Sequence, residues 1–170
     1  TTVDKNVLIT VLQATSSTIV TCAAGPFTYS GEAQTPCSAT VTGAGGLSET
    51  LTVTYTDNLN AGQATARASY GGAANYVGSS DVKSFSIAKA TSVLTWNNPA
   101  DIVYGTALSA TQLNATANVS GTFVYTPAAG AALNAGNGQA LSVMFTPADA
   151  ANYTTVDKNV LITVLQATSS

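Results

Sequence analysis

The sequence predicts an all-β fold made of tandem repeats, and three observations lead to that prediction. Residues 1–17 and 154–170 are identical at all seventeen positions, at an offset of 153. Shorter motifs recur at about half that offset. Short segments rich in Val, Thr, Ile, Leu and Tyr alternate with clusters of Gly, Asn, Pro and Ser, which is typical of strands separated by turns. A fixed period of this kind indicates a repeat architecture.

The half-period motifs define a repeat of about 76 residues. Ala14–Ser16 recurs as Ala90–Ser92 and again as Ala167–Ser169, at offsets of 76 and 77. Asn60–Gly62 has its counterpart in Asn134–Gly136. The 153-residue period therefore contains two diverged copies that alternate along the chain.

Each copy is expected to form a small antiparallel sandwich. The strands predicted in the first copy are Thr18–Cys22, Ser38–Thr42, Leu51–Tyr55, Gln63–Tyr70 and Lys83–Ile87. Those predicted in the second are Ser92–Trp96, Asn114–Val119, Thr122–Thr126, Gln139–Thr146 and Asn159–Leu165. Five short strands at roughly ten-residue spacing predict an immunoglobulin-like antiparallel β-sandwich. The whole chain is then expected to be an end-to-end array of such sandwiches.

The repeat boundaries predict four segments. Residues 1–13 are the last strand of a preceding repeat domain, 14–89 are a domain that carries both cysteines, 90–166 are a second domain, and 167–170 begin the next repeat. The junction between the two domains is only a few residues long. So short a junction favours a stiff rod over loosely connected beads.

The composition excludes several classes of function. Five Lys and Arg against eight Asp and Glu cannot form the basic face that nucleic acids require. No apolar run approaches the ~20 residues that span a bilayer. The chain has no His, so Ser–His catalysis and His-ligated zinc are excluded, and its acidic residues are scattered. We therefore expect no enzyme activity, no cofactor and no metal.

The N-terminal copy of the duplicated strand needs a partner. Its apolar side chains are those of Val7, Leu8, Ile9, Val11 and Leu12. Alone, such a strand would be an exposed edge. In a longer chain it would complete the preceding domain, which is the interpretation we favour. The alternative is strand exchange, in which it replaces residues 159–165 of a neighbouring molecule and builds a non-covalent fibre. In both cases the expected partners are neighbouring copies of the same repeat.

Two kinds of covalent crosslink are conceivable. Cys22 and Cys37 close a loop of sixteen residues, and a disulfide there would stabilise a small domain by roughly 3 kcal/mol. The alternative is a pair of buried free thiols, and we favour the disulfide, which requires an oxidising compartment. A Lys–Asn isopeptide bond is disfavoured, because the candidate lysines all lie among polar residues: Lys5, Lys83, Lys89 and Lys158.

The second copy resembles a known family. Its segment 94–106, LTWNNPADIVYGT, together with Thr122–Pro127, Leu133–Gly136 and Phe145–Tyr153, is similar to the bacterial immunoglobulin-like repeats called MBG domains of the Tyr-Gly type. The first copy resembles a related branch more loosely, since it lacks the Trp and the Tyr-Thr-Pro segment. The resemblance implies tandem repeats in very large secreted or surface proteins of bacteria, and no catalytic residues.

The resemblance also implies which residues determine the fold. Trp96 and Tyr104 would be core or corner aromatics, and Gly105 and Gly136 would occupy turns. The family motifs also include Asn134, Asn152 and Tyr153.

The leading functional hypothesis is a structural segment of an extracellular or cell-surface bacterial filament, stalk or surface protein. The alternative is an adhesin module that binds glycan or protein ligands. The seven tyrosines could form a sugar-stacking surface, but their recurrence at equivalent positions of both copies favours packing within each domain.

Overall fold

The computed structural model describes residues 8–168. In this part of the chain the regular structure is all β, with one three-residue 3-10 turn at Ala44–Gly46 and no α-helix. The chain divides into two compact units. Unit 1 contains the described residues up to Phe27 and Gly31–Ile87, and unit 2 contains Thr28–Ser30 and the described residues from Ala88 onwards.

Unit 1 is built from a three-stranded and a four-stranded sheet. Its strands are β1 (Ser16–Cys22), β2 (Phe27–Thr28), β3 (Cys37–Gly43), β4 (Leu47–Leu51), β5 (Thr54–Thr56), β6 (Gly62–Tyr70) and β7 (Ser79–Ala88). The sheet orders are β1-β3-β4 and β2-β7-β6-β5. Along β1 and β3 buried residues alternate with exposed ones, which is the pattern of a strand with one face on a core.

Unit 2 contains one four-stranded sheet and two short strand pairs. Its strands are β8 (Ala90–Thr91), β9 (Leu94–Thr95), β10 (Ile102–Val103), β11 (Thr116–Ala117), β12 (Gly121–Thr126), β13 (Gly136–Pro147), β14 (Tyr153–Thr154) and β15 (Val156–Leu165). The large sheet has the order β10-β15-β13-β12, and β9 pairs with β11 and β8 with β14.

The expectation of purely antiparallel sheets is wrong at two places in unit 2. Strand β10 pairs in parallel with β15, and β8 pairs in parallel with β14. Parallel neighbours need a long crossover rather than a tight turn, and here 52 residues separate Val103 from Val156. The roughly ten-residue spacing of strands predicts pairs that are close in sequence, so it cannot predict these parallel pairs.

The predicted strand Leu51–Tyr55 is also wrong. Strand β4 ends at Leu51 and pairs with β3, whereas β5 begins at Thr54 and pairs with β6 in the other sheet. The chain crosses between sheets at Thr52 and Val53. Leu51, Val53 and Tyr55 are all partly buried, so the alternation of apolar and polar residues continues through the crossover.

The two units have cores of different bulk. When the final strands β7 and β15 are aligned at their offset of 77, Ala66 and Ala68 of β6 stand where Leu141 and Val143 stand in β13. All four side chains are buried. Burying a Leu or Val side chain contributes about 1.5–3 kcal/mol, so unit 1 gains less from this central strand than unit 2 does.

Candidate functional site: the duplicated strand

The C-terminal copy of the duplicated segment is the central strand β15 of unit 2. It pairs antiparallel with β13 on one side and parallel with β10 on the other. Val160, Ile162 and Val164 point into the core and are 5%, 2% and 2% exposed. The alternate residues Leu161 and Leu165 are half-exposed. This segment therefore has one face made for a core and one that tolerates water.

Polar groups complete the pairing of β15 at its outer edge. The Leu161 amide donates to the Asn98 side-chain oxygen at 3.1 Å, and the Tyr104 amide donates to the Leu165 carbonyl at 2.8 Å. These bonds satisfy backbone groups that the two-residue strand β10 is too short to reach.

The N-terminal copy has the same sequence and a different environment. Its described residues Leu8, Ile9, Val11 and Leu12 have no regular secondary structure and are 97%, 81%, 88% and 82% exposed. Val7, which we also assigned to the inter-repeat strand, lies outside the described residues. The chain thus carries one copy of this strand in a core and one whose described apolar side chains face solvent.

The first residues of both units are bound in the same way. The Ala14 amide donates to the Asn75 carbonyl, and the Ala90 amide donates to the Asn152 carbonyl, both at 2.8 Å. Each residue opens a parallel contact with the tyrosine that follows the asparagine. The recurring Ala-Thr-Ser motif therefore marks the point where the first residue of each unit binds the Asn-Tyr pair near its end. We call this contact the closure of the unit.

In each unit, the side chain of the residue before the Ala-Thr-Ser motif donates a hydrogen bond to the loop that precedes the Asn-Tyr pair. Gln13 donates through Nε2 to the Ala73 and Ala74 carbonyls at 3.0 and 3.2 Å, and Lys89 donates through Nζ to the Ala150 carbonyl at 2.6 Å. We did not predict this role of Gln13 and Lys89 from the sequence. The available signal was the position, since a long polar side chain precedes each Ala-Thr-Ser motif.

Asn152 and Tyr153 form part of this closure in unit 2. Asn152 is 6% exposed, and its side-chain amide donates to the Asp149 carboxylate at 2.9 Å. The backbone amide of Tyr153 donates to the Asp149 carbonyl at 3.0 Å. These bonds stabilise the turn that contains Asn152, and the backbone carbonyl of Asn152 accepts the hydrogen bond from the Ala90 amide.

Trp96 and Tyr104 occupy contrasting positions. Trp96 is 3% exposed, donates from its indole N–H to the Gln112 carbonyl at 3.0 Å, and lies edge-on to Tyr125. Tyr104 follows β10 and is 54% exposed, so it is not a core residue. Of the two roles considered for Tyr104, only a corner position is compatible with this exposure.

The other signature residues lie in turns or at strand ends. Gly105 has φ +96°, a conformation that favours glycine. Gly136 opens β13, where the pairing with β15 is irregular up to Gln139. The Asn134 carbonyl accepts a hydrogen bond from the Gln139 side chain.

The predicted disulfide is confirmed. Cys22 and Cys37 are bonded and lie opposite each other at the ends of β1 and β3, with their Cα atoms 3.9 Å apart. The Tyr55 hydroxyl accepts from the Cys37 amide and donates to the Cys37 carbonyl. In unit 2 the Tyr125 hydroxyl likewise accepts from a backbone amide, that of Ala115. These tyrosines are engaged within their units.

Asp81 links the two sheets of unit 1. Its carboxylate accepts from the Val20 amide of β1 at 2.8 Å and from the Val82 amide at 2.9 Å. These bonds favour the charged form, so they hold the pKa of Asp81 below its ordinary value, with the Val20 bond the larger cause. No local sequence pattern predicts this bond, because it joins residues 61 positions apart.

Unit 2 contains a cavity of about 420 Å³. It lies beside Trp96 and is bordered by Asn97, Asn98 and Asn114. The Asn98 oxygen already accepts from Leu161, and the Asn114 side chain already donates to the Thr111 carbonyl. Two of the polar side chains that border the cavity are therefore hydrogen bonded within unit 2.

No family model matches the chain, and no curated protein is similar to it. Within residues 8–168 no cluster of His, Cys, Asp or Glu is arranged to hold a metal ion. None of the helical structure in that range is long and apolar enough to cross a membrane.

Proposed function

We propose that this chain is a structural repeat segment of a large extracellular bacterial filament, stalk or surface protein. In this proposal each unit is an immunoglobulin-like sandwich, and successive units form a stiff spacer. The single observation that carries the proposal is the identity of residues 1–17 and 154–170. Selection for a ligand or a reaction does not require seventeen consecutive residues to match, whereas a maintained tandem array does.

The closure of the two units supports the same proposal. Ala14 and Ala90 are bound by equivalent carbonyls, and Gln13 and Lys89 reach equivalent loops. Ala167 stands in the same motif, with Gln166 before it. The Ala-Thr-Ser motif with a long polar residue before it thus occurs three times, as it would in a series of like units.

The disulfide and the resemblance to MBG repeats support the proposed location. A disulfide forms and persists in oxidising compartments outside the cytosol. The MBG-like segment of unit 2 suggests secreted or surface proteins of bacteria. We propose the structural role alone, because no observation within residues 8–168 specifically favours a ligand-binding site.

The test is the intact mass of the native source protein, measured under denaturing and reducing conditions. A tandem array predicts a mass many times the 17.0 kDa of this chain. Proteolysis of that protein should then release the peptide that spans residues 154–170 followed by residue 18. A native mass near 17 kDa would overturn the covalent array.

A further inference from the structure

Asn137 and Gly138 form the only Asn-Gly pair in the sequence, and no aspartate precedes a glycine. Asparagine is a thermolabile residue, because the backbone nitrogen of the next residue can attack its side-chain carbonyl carbon. Glycine favours that attack, since it has no Cβ to obstruct the approach and its backbone is the most permissive. The sequence therefore distinguishes Asn137 from every other asparagine of the chain.

The structure places this pair at an irregular point of β13. The pairing of β13 with β15 is continuous from Gln139 onwards, and its register shifts between Gly136 and Gln139. Asn137 and Gly138 lie within that shift, where β13 has one residue more than its partner, as in a β-bulge. The regular ladder therefore does not fix the backbone of this pair.

The surroundings of the pair leave room for a reaction. Both residues are exposed. A Cβ added at Gly138 would have no heavy atom within 4 Å, and Gly138 has φ +65°, a conformation that glycine adopts readily. Asn137 borders a cavity of about 280 Å³ beside the end of β15. No packed side chain therefore prevents the Asn137 side chain from turning towards the next backbone nitrogen.

We propose that Asn137 is a site of spontaneous deamidation in the folded chain. The Gly138 nitrogen bonds to Cγ of Asn137 and the bond from Cγ to Nδ2 breaks, so that Nδ2 and the displaced amide proton leave as ammonia. Water then opens the resulting five-membered imide. Breaking the new bond to Cγ gives aspartate, and breaking the original peptide bond gives isoaspartate, in which the main chain continues through Cγ. Water is the sole co-reactant.

Both products place a carboxylate where the chain had an amide. They add one negative charge to the formal net charge of −3, beside Leu165 and Gln166 at the end of β15. Isoaspartate also adds one atom to the main chain, but it does so before the continuous ladder begins at Gln139. We therefore expect unit 2 to stay folded after the reaction. The reaction needs no neighbouring repeat, so it is independent of the proposed function.

The experiment uses the full chain, incubated in mildly alkaline buffer and sampled over time. Asn134 is an internal control, because it is exposed in the same part of the chain and is followed by Ala135. Cleavage after Tyr125 and Phe145 gives one peptide that contains both asparagines, and fragmentation in a mass spectrometer distinguishes them. A free peptide of residues 131–142 gives the rate without the fold.

We expect Asn137 to gain the mass that replaces an NH2 group with OH, with isoaspartate and aspartate both formed, while Asn134 is unchanged. The rate in the folded chain should lie within about tenfold of the rate in the free peptide, because opening of an exposed irregular segment costs little free energy. Fluorescence of Trp96, the single Trp of the chain, shows that unit 2 stays folded during the incubation.

Two substitutions test the chemistry. Gly138→Ala adds a Cβ that obstructs the attack and should slow the conversion severalfold, whereas Gly136→Ala, on the other side of Asn137, should leave the rate unchanged. Asn137→Gln should gain no mass at this position, because its longer side chain would have to close a six-membered ring. This variant leaves Gly138 and its backbone conformation in place.

Three outcomes would overturn the proposal. The first is an unchanged Asn137 in the folded chain after the free peptide has converted, which would show that the bulge is too rigid for the attack. The second is conversion of Asn134 at the same rate as Asn137. The third is a mass gain in Asn137→Gln, or a rate in Gly138→Ala, equal to that of the unaltered chain.

Discussion

Asp81 is a single side chain that joins two sheets. Its carboxylate accepts the amide of Val20, a residue of β1, while Asp81 itself belongs to β7. Around it, the Ser79 hydroxyl is hydrogen bonded to the hydroxyls of Ser16 and Thr18 on β1. The β1 edge of unit 1 is thus attached to β7 by polar bonds, one of which depends on a charge.

This bond predicts how unit 1 responds to acid. The pKa of Asp81 is lowered on folding from its ordinary value of 3.8, so its stabilising contribution is complete above that ordinary value. It is lost as the pH falls through the lower folded value. We expect Asp81→Asn to lower the urea midpoint of unit 1 at pH 7 and to narrow the difference in midpoint between pH 7 and pH 3.

The midpoint is read from the NMR signals of unit 1 amides, including Val20. The matched control is Glu49→Gln, which changes an exposed carboxylate on β4 of the same unit. Equal acid sensitivity in Asp81→Asn and the unaltered chain would show that this carboxylate does not contribute to the pH dependence.

The pairing of β12 with β13 depends on the absence of a side chain at Gly121. A Cβ at this position would lie 2.4 Å from the Thr146 carbonyl oxygen and 2.6 Å from the ring of Phe145. Phe145 is fully buried, so its ring has little room to move. The start of β12 is therefore a place where backbone and an aromatic ring approach too closely for any other residue.

We expect Gly121→Ala to destabilise unit 2 by about 1–3 kcal/mol, the usual cost of overpacking. The matched control is Gly136→Ala in the same sheet, where the nearest atom to an added Cβ is the end of the Gln139 side chain at 3.8 Å. Urea unfolding followed by Trp96 fluorescence measures both. Equal effects of the two substitutions would contradict the steric explanation.

At the scale of elements, the longer strands were predictable, whereas of the two-residue strands only β9 and β11 lie inside predicted segments. Strands β1, β3, β6, β12, β13 and β15 all overlap predicted segments, because each is long enough to show alternation or a β-branched run. Strands β2 and β10 contain two residues each, which define no period. They are strands only because β7 and β15 offer them a free edge.

The candidate site was predictable in part for a similar reason. Identity between residues 1–17 and 154–170 is visible in the sequence, and so is the pair of cysteines. The bond from Val20 to Asp81 depends on two sheets that meet in three dimensions, and no local pattern encodes it. The exposure of Tyr104 could not be predicted either. An aromatic residue two positions after a buried Ile102 has the same sequence pattern whether its side chain lies in the core or in solvent.

At the scale of the whole molecule, each unit has its own core and a feature that allows its unfolding to be followed separately. The disulfide belongs to unit 1, and Trp96, the single Trp, belongs to unit 2. Unit 1 has alanines at two central positions where unit 2 has larger side chains, so unit 1 gains less stability from its core. We therefore expect the disulfide to supply a substantial part of the stability of unit 1.

Removal of the disulfide by Cys22→Ser/Cys37→Ser should therefore destabilise unit 1 by about 3 kcal/mol. For a domain of this size that lowers its melting temperature by about 12 °C or more. Calorimetry should show two transitions, of which only the one without a Trp96 fluorescence change moves. A shift of the Trp96 transition by a similar amount would show that the two units unfold together.

The parallel pairing of β8 with β14 has a mechanical consequence. It places Ala90, where the chain enters unit 2, beside Tyr153, and β15 then runs ten residues away from that point. At about 3.3 Å per residue the exit at Leu165 lies about 33 Å further along. A pulling force on the two ends acts along β15, so its hydrogen bonds to β13 resist together in shear instead of opening one by one. How long unit 2 survives under tension is then set by its unfolding rate rather than by its equilibrium stability.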